Sequence, residues 1–393
     1  MAHHYVFGTG NIYILPSGAT PIQVAAIQNA SVDFDGDAKQ LYGQNQFPLD
    51  TARGKIKITG KFEIGQVNLN LWNSVFFGMS SAGLTTGQLV RPLGSVGCYV
   101  PSGRHPLPST LLMTAIPAQV AGVERIVVVS PKPAQETLAA AQLLGISEFY
   151  RVGGAHAVAA LAYGTQTISR VDKIVGPGNL YVTAAKRLVA FDCAIDMLAG
   201  PTEVVVTSDR GRAADIAADL VAQAEHDPEA LAIFITTRPD LAHEVLGETK
   251  ARSRNNPVAR EALDRNGLVI LAANPDEAWK ITNRIAPEHL TVDTSEDLDR
   301  VQNAGSVFIG RWSAQPMGDY ISGPNHTLPT GGMARVRGGL SVNDFVRLVT
   351  VQEYSRKGIA QLGPQAALIA EAEGLTGHAE AIRTRLNRRA ARA

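Results

Sequence analysis

The chain has 393 residues, 36 Lys and Arg against 36 Asp and Glu, a formal net charge of zero and 45% apolar residues. That length suggests two or three domains with enough apolar content to fill their cores. There is no basic field to hold a phosphate backbone and no apolar run long enough to span a bilayer, and Cys98 and Cys193 alone exclude a disulfide framework or a cysteine-based zinc site.

The first ten residues lack the charged-then-apolar layout of a secretory signal, so a reducing, cytoplasmic setting is expected. His3 and His4 read as a solvated terminus rather than a metal site. Residues 1–84 are rich in Gly, Asn, Gln, Ser and aromatics, and predict strands over "YVFGTGNIYILP", "IQVAAIQNASVDFD" and "GKIKITGKFEIGQV". In the last of these, Lys55, Lys57, Thr59 and Lys61 alternate with Ile56, Ile58 and Phe62, the pattern of a half-buried antiparallel strand. Pro16-Ser17-Gly18 marks a turn.

Near residue 87 the texture changes. The apolar runs "ERIVVVS", "VDKIVG", "EVVVTSD", "LAIFITT" and "GLVILAA" alternate with Ala/Leu-rich helical stretches. That alternation predicts an α/β chain with two open, Rossmann-like parallel sheets covered by helices, in blocks 99–201 and 202–342. Residues 1–86 form a short all-β segment before them and 87–98 a junction. The chain from 343 to 393 reads as helical and ends in the basic tail "RTRLNRRAARA".

Six stretches carry candidate chemistry. "YRVGGAHAVAALAYG" and "VDKIVGPGNLYVTAAKR" each run strand, glycine turn, helix, a layout whose helix N-terminus attracts anions. Neither matches G-x-G-x-x-G, and two tight βα turns explain them equally. In "QAEHDP", Gln223 and His226 stand one helical turn apart and offer an oxygen and a nitrogen to one cation. Two donors do not make a zinc site, and a polar helix face ending at Pro228 is the alternative. In "IAPEHL", Glu288 and His289 follow Pro287, so a turn presents a carboxylate and an imidazole suited to acid–base work, or a helix simply starts there. The Gly- and Pro-dense "MGDYISGPNHTLPTGG" reads as a loop holding Asp319, Asn325 and His326, residues that also make turns for local reasons. In "EAEGLTGH", Glu373 and His378 flank a break between two helices, the second starting near Thr376.

Together, in this order, these stretches resemble the histidinol dehydrogenase family from about Gly87 to Arg389, joined by "VGCYVPSGRHPLPSTLLMTAIPAQVAGV", "AIDMLAGPTEVVV" and "AGSVFIG". The resemblance implies a Zn2+ site made of Gln223, His226, Asp319 and His378, orienting the substrate. It makes Glu288 and His289 the acid–base pair and implies substrate contacts from Thr202, His326 and Glu373. Thr202 stands where the family usually has serine. For NAD it points to Tyr99, His156 and Asn179, with His156 standing where the family often has glutamine. It further implies a homodimer in which the C-terminal segment completes the other chain's site. The implied reaction is oxidation of L-histidinol through L-histidinal to L-histidine with two NAD. A related NAD-dependent oxidation of another polar alcohol, such as a sulfonated propanediol, is the near alternative.

The family's own helical N-terminal region is not found. Residues 1–84 instead resemble a structural protein of tailed bacteriophages, carried by "GTGNIYILPSGATPIQVAAIQNASVDFDGDAKQLYGQNQFPLDTARGKIKITGKFEIGQVN". On that reading the chain is a fusion and the zinc-side block is expected to be incomplete, exposing apolar surface and sheet edges. An inactive fusion serving as an assembly module is the alternative of a different class.

Overall fold

The computed structural model describes residues 83–102 and 106–386 with their side chains, and the backbone of five strands before them. The turn expected at residues 16–18, the side chains of His3 and His4, and the tail beyond residue 386 lie outside the described residues. The chain divides into two compact units, residues 92–346 and a second made of residues 1–91 with 347–393.

In the second unit, the strand pattern read near the N-terminus corresponds to β1 (His3–Phe7), β2 (Gly10–Ile14), β3 (Ile22–Asp37) and β4 (Lys55–Val67). The long β3 pairs antiparallel with β1, β2 and β4. β5 (Met79–Ser81) and β6 (Leu84–Pro92) follow as an antiparallel pair.

The unit at residues 92–346 holds two parallel sheets. The first contains β7 (Ser95–Tyr99), β8 (Arg125–Val129), β9 (Glu148–Tyr150), β10 (Lys173–Val175) and β11 (Ala194–Ile195), in the order β11-β10-β7-β8-β9. Helices α1 (Pro108–Ala121) and α2 (Gln135–Leu143) pack on Val96, Cys98 and Val128; α3 (Gly154–Tyr163) and α4 (Leu180–Val189) pack on Val127, Val129 and Ile174. Successive strand residues point to opposite faces, so a run such as Val127-Val128-Val129 feeds both cores. Cys98 is part of this packing; burial pushes its thiol up to about 12, which keeps it protonated and unreactive.

The second sheet contains β12 (Glu203–Thr207), β13 (Leu231–Thr236), β14 (Gly267–Leu271), β15 (His289–Val292) and β16 (Ser306–Ile309), in the order β14-β13-β12-β15-β16. Val204, Val206 and Phe234 meet α5 (Ala213–Ala224) and α6 (Pro239–Ser253), with α7 (Pro257–Asn266) beside them; Val205, Ile235 and Leu290 meet α8 (Pro275–Ile285). Each such fully buried side chain contributes roughly 1.5–3 kcal/mol. At the sheet edge, β14 leaves Leu268 and Leu271 51% and 54% exposed.

The two sheets wind alike. Each starts with an inner strand, builds two strands to one side, then crosses and builds two to the other. The direction reverses between β7 and β10 and between β12 and β15, and the carboxyl ends of strands at such a reversal form a natural ligand crevice.

The stretch from 343 onward is not helical throughout. "VRLVTVQEY" forms β17 (Val346–Tyr354), the neighbour of β6. Three valines and a threonine in nine residues disfavour a helix, because β-branched side chains lose rotamer freedom there. The expected helix–break–helix follows as α10 (Arg356–Ala372) and α11 (Thr376–Leu386), with Gly374 in the left-handed region between them.

Candidate active site

A helix in a βα unit runs antiparallel to its strand, so α5 brings its C-terminus back to the amino edge of the second sheet. There Thr202 precedes β12, Gln223 sits in the last turn of α5, and α8 delivers Glu288 and His289 to the start of β15. Two local expectations need correction. Helix α5 ends at Ala224, so His226 lies beyond it, its N–H on the Gln223 carbonyl at 3.3 Å; a Pro at 228 stops the helix from continuing. His289 is neither in a turn nor at a helix start but is the first residue of a buried strand, directed there by Ala286 and Pro287. Ala286 ends α8 in the left-handed region at φ 55 and is the sole non-glycine residue to do so among the described residues.

Hydrogen bonds lock this group. The Thr202 hydroxyl and the Glu203 N–H both donate to Glu288 Oε2, at 2.6 and 2.8 Å. The Gln223 amide donates to the Thr202 hydroxyl oxygen. The Glu203 carboxylate accepts the Glu288 N–H at 3.3 Å and the Gly331 N–H at 2.9 Å. A Cβ at residue 305 would stand 2.6 Å from the Glu288 carbonyl oxygen, so that close approach of β15 and β16 requires Gly305. His289 Nδ1 lies 3.1 Å from the Glu203 carbonyl, which assigns the proton to Nδ1 and leaves the lone pair on Nε2. Nε2 is 3.9 Å from Asp319 Oδ1.

Burial dominates the electrostatics. It pushes the Glu288 carboxyl up to about 8, against the hydrogen bonds from Thr202 and Glu203, and it pushes His289 down against the pull of Asp319. The result is a neutral imidazole beside a carboxyl whose proton exchanges near neutral pH.

Asp319 stands in a one-turn helix, α9 (Met317–Tyr320), rather than in the expected loop, because Pro316 starts a turn there. Its carbonyl accepts the Nδ1–H of His326 at 2.9 Å. Asn325 ties the segment to α1 by donating to the Met113 carbonyl at 2.6 Å. A cavity of about 370 Å3 opens beside His289, lined by Phe308, Trp312, Met317 and His326.

Asp219, one turn before Gln223, faces the backbone N–H of Gln315 in the segment leading to α9. Burial, and beyond it the Asp215 carboxylate, push Asp219 from 3.8 up to about 6. A raised folded pKa penalises the ionised form: the penalty is absent below about pH 4 and complete above about pH 6. Asp219→Asn keeps the acceptor and removes the charge. It is expected to stabilise the chain by about 1–2 kcal/mol at pH 8, the full shift being discounted for partial solvent access, and by nothing at pH 3.5. Urea melts at the two pH values check this.

Gln223 Oε1 is buried and accepts no hydrogen bond. Buried oxygens of this kind nearly always have a partner, and a cation here supplies one. A carboxamide oxygen, an imidazole and a carboxylate suit zinc. Among the described residues no three His, Cys, Asp or Glu side chains are placed to hold a metal, so a site here relies on Gln223. Glu373 and His378 lie in the other unit, at the end of α10 and in the first turn of α11, and both are exposed.

The residues expected at NAD lie around the carboxyl edge of the first sheet. Tyr99 ends β7, and its hydroxyl accepts the Gly154 N–H at 3.0 Å. His156 is exposed in the first turn of α3, and Asn179 caps α4 by accepting the Val182 N–H at 3.1 Å. In the second sheet a cavity of about 370 Å3 opens at the equivalent crevice, beside Ser208, Trp279 and Asp293, but the amides of its turn are already engaged. The Asp293 carboxylate accepts the Ser208 hydroxyl and the N–H groups of Asp209 and Arg210, at 2.9 and 3.1 Å, in the turn between β12 and α5. An anion at that turn therefore competes with a built-in carboxylate, and the first sheet is the better place for a pyrophosphate.

Sequence reasoning missed Glu203, Asp219 and Gly305, which hold the site without facing the cavity. An acidic residue opening the apolar run "EVVV" was the one available signal for Glu203.

The family model for histidinol dehydrogenase matches residues 34–386, a span that begins inside the N-terminal β-rich segment. Histidinol dehydrogenase of Methanothermobacter thermautotrophicus is 50% identical over 318 residues, covering 77% of this chain and 74% of its own. That of Listeria monocytogenes is 46% identical over 376 residues, 93% of this chain and 84% of its own. The crystal structure of histidinol dehydrogenase from Elizabethkingia anophelis matches with a TM-score of 0.75 at 37% identity, covering 81% of this chain and 78% of that one. With the same two parallel sheets and identity near one half over three quarters of its length, this chain belongs to the histidinol dehydrogenase family of NAD-dependent oxidoreductases.

Proposed function

We propose that this chain oxidises L-histidinol to L-histidine at the amino edge of its second sheet, with Glu288 and His289 carrying the protons. Zn2+, held by Gln223, His226, Asp319 and His378, supplies a charge that orients the imidazole and amine of the substrate. The orphaned Oε1 of Gln223, whose Nε2 lies 3.5 Å from His289 Nδ1, is the observation that carries this reading.

His289 Nε2 removes the alcohol proton as a hydride passes from carbon to NAD. Glu288 takes a proton from water as the water adds to the aldehyde carbon, giving the hydrate. With its carboxyl held at about 8, only the ionised fraction serves as this base, and that fraction grows as the pH rises toward 8. His289, once it has released the first proton to solvent, removes a hydrate hydroxyl proton as the second hydride leaves to a second NAD. Thr202 and His326 contact the substrate, and Tyr99, His156 and Asn179 contact NAD. His378 and Glu373 come from a second copy of the chain, making the active form a homodimer in the cytoplasm.

The test is NADH formation by the purified chain with L-histidinol, NAD and Zn2+. Two NADH per substrate are expected. Turnover of a sulfonated diol without turnover of L-histidinol overturns the substrate assignment. Among the described residues no helix is long and apolar enough to cross a membrane.

The origin of residues 1–84 from a phage structural protein is supported by the long central β3 with three antiparallel partners. Light scattering that finds only dimers counts against an assembly role for it.

A further inference from the structure

Lys186 is the largest side chain that is almost wholly buried, 1% exposed, and its partner Asp196 is 7% exposed. The proton chemistry above uses neither. Their ion pair lies inside the first sheet's domain, far along the chain from Glu288 and His289, and both groups converge on one residue, Gly176, gripping the peptide units on either side of it. Lys186 Nζ donates to the Gly176 carbonyl at 3.0 Å, and the Gly176 N–H donates to Asp196 Oδ2 at 2.7 Å. The Met197 N–H completes the carboxylate's shell at 2.6 Å.

Gly176 is the first residue after β10 and opens the turn Gly176-Pro177-Gly178-Asn179 that leads into α4. It holds φ at +107°, and a Cβ there would lie 2.3 Å from the Tyr99 carbonyl oxygen. Gly176 therefore sits at the point where β7 and β10 diverge, against the last residue of β7. Breaking a buried pair by removing one partner leaves an uncompensated charge, whereas replacing both with apolar groups is often neutral. A pair kept only for stability is thus replaceable, and this one grips the turn on which a dinucleotide would rest.

We infer that Lys186 and Asp196 are positioning residues for NAD: they fix the two peptide planes that flank Gly176 and through them the Gly176–Asn179 turn beside Tyr99. This rests on the reading that NAD occupies the first sheet's crevice. The experiment compares Lys186→Met, the double variant Lys186→Met/Asp196→Leu, and Asn179→Ala in the full zinc-loaded chain. The readouts are KM for NAD, KM for L-histidinol, zinc content and thermal midpoint. The double variant is expected to recover the thermal midpoint lost in Lys186→Met, yet to keep a KM for NAD raised about tenfold or more, as misplaced contacts commonly cost. KM for L-histidinol and zinc content stay unchanged. Recovery of both midpoint and NAD KM in the double variant overturns the positioning role. If instead the double variant fails to fold, Lys186→Met assayed well below its midpoint decides: an unchanged NAD KM overturns the role. An unchanged NAD KM in Asn179→Ala overturns the underlying site reading, independently of the pair.

Discussion

Replacing His289 by Asn is expected to lower kcat with L-histidinol on the order of 10²- to 10⁴-fold, the range a general base contributes. The physical ground is the tautomer. The Glu203 carbonyl holds the proton on Nδ1, so Nε2 presents its lone pair toward Asp319 and the cavity. Burial keeps the ring neutral, so the base is ready rather than already protonated. Asn places an N–H near the Nδ1 position and so preserves the bond to Glu203, but it has no base at the Nε2 position. Zinc content and KM for NAD are expected to remain at the parent values. Steady-state rates with L-histidinol and with the aldehyde should fall together, since both oxidations use the same nitrogen. A variant slow on only one of the two would mean that another base serves the other step.

Asp319→Ala is expected to weaken zinc retention by more than the roughly 10- to 100-fold typical of losing a partner outside the coordination shell. Dialysis against a chelator followed by metal analysis measures this without reference to turnover. Asp319 is the one carboxylate in the proposed ligand set, and it is anchored twice: its carbonyl accepts from His326, and Asn325 pins the same segment to α1. The variant removes charge without releasing the segment. Retention of a full zinc complement would remove Asp319 from the ligand set and leave Gln223 Oε1 without an explanation.

The two parallel sheets were legible in the sequence because their strands are apolar runs buried on both faces, with glycine turns between strand and helix. The pairing of Gln223 with Glu288 and His289 was legible only through family resemblance. Periodicity places Gln223 and His226 on one helix, but it carries no information about which strand start that helix returns to. The local setting of His289 was misread because Pro287 is equally at home at a helix start; the left-handed Ala286 before it is what turns the chain into β15. β17 was missed because its valines run into the long helical stretch that follows and its partner β6 lies some 250 positions earlier, a distance that local patterns do not cross. Glu203 escaped notice because a strand-opening acid looks like surface until its two backbone donors are seen.

Asp293 has a consequence for how the protein meets the cell. A turn whose amides are already committed to an internal carboxylate has fewer donors left for a passing phosphate. Of the two similarly wound halves, one thus keeps its first turn neutralised from within, and a bound dinucleotide would gain less from that turn than from its counterpart.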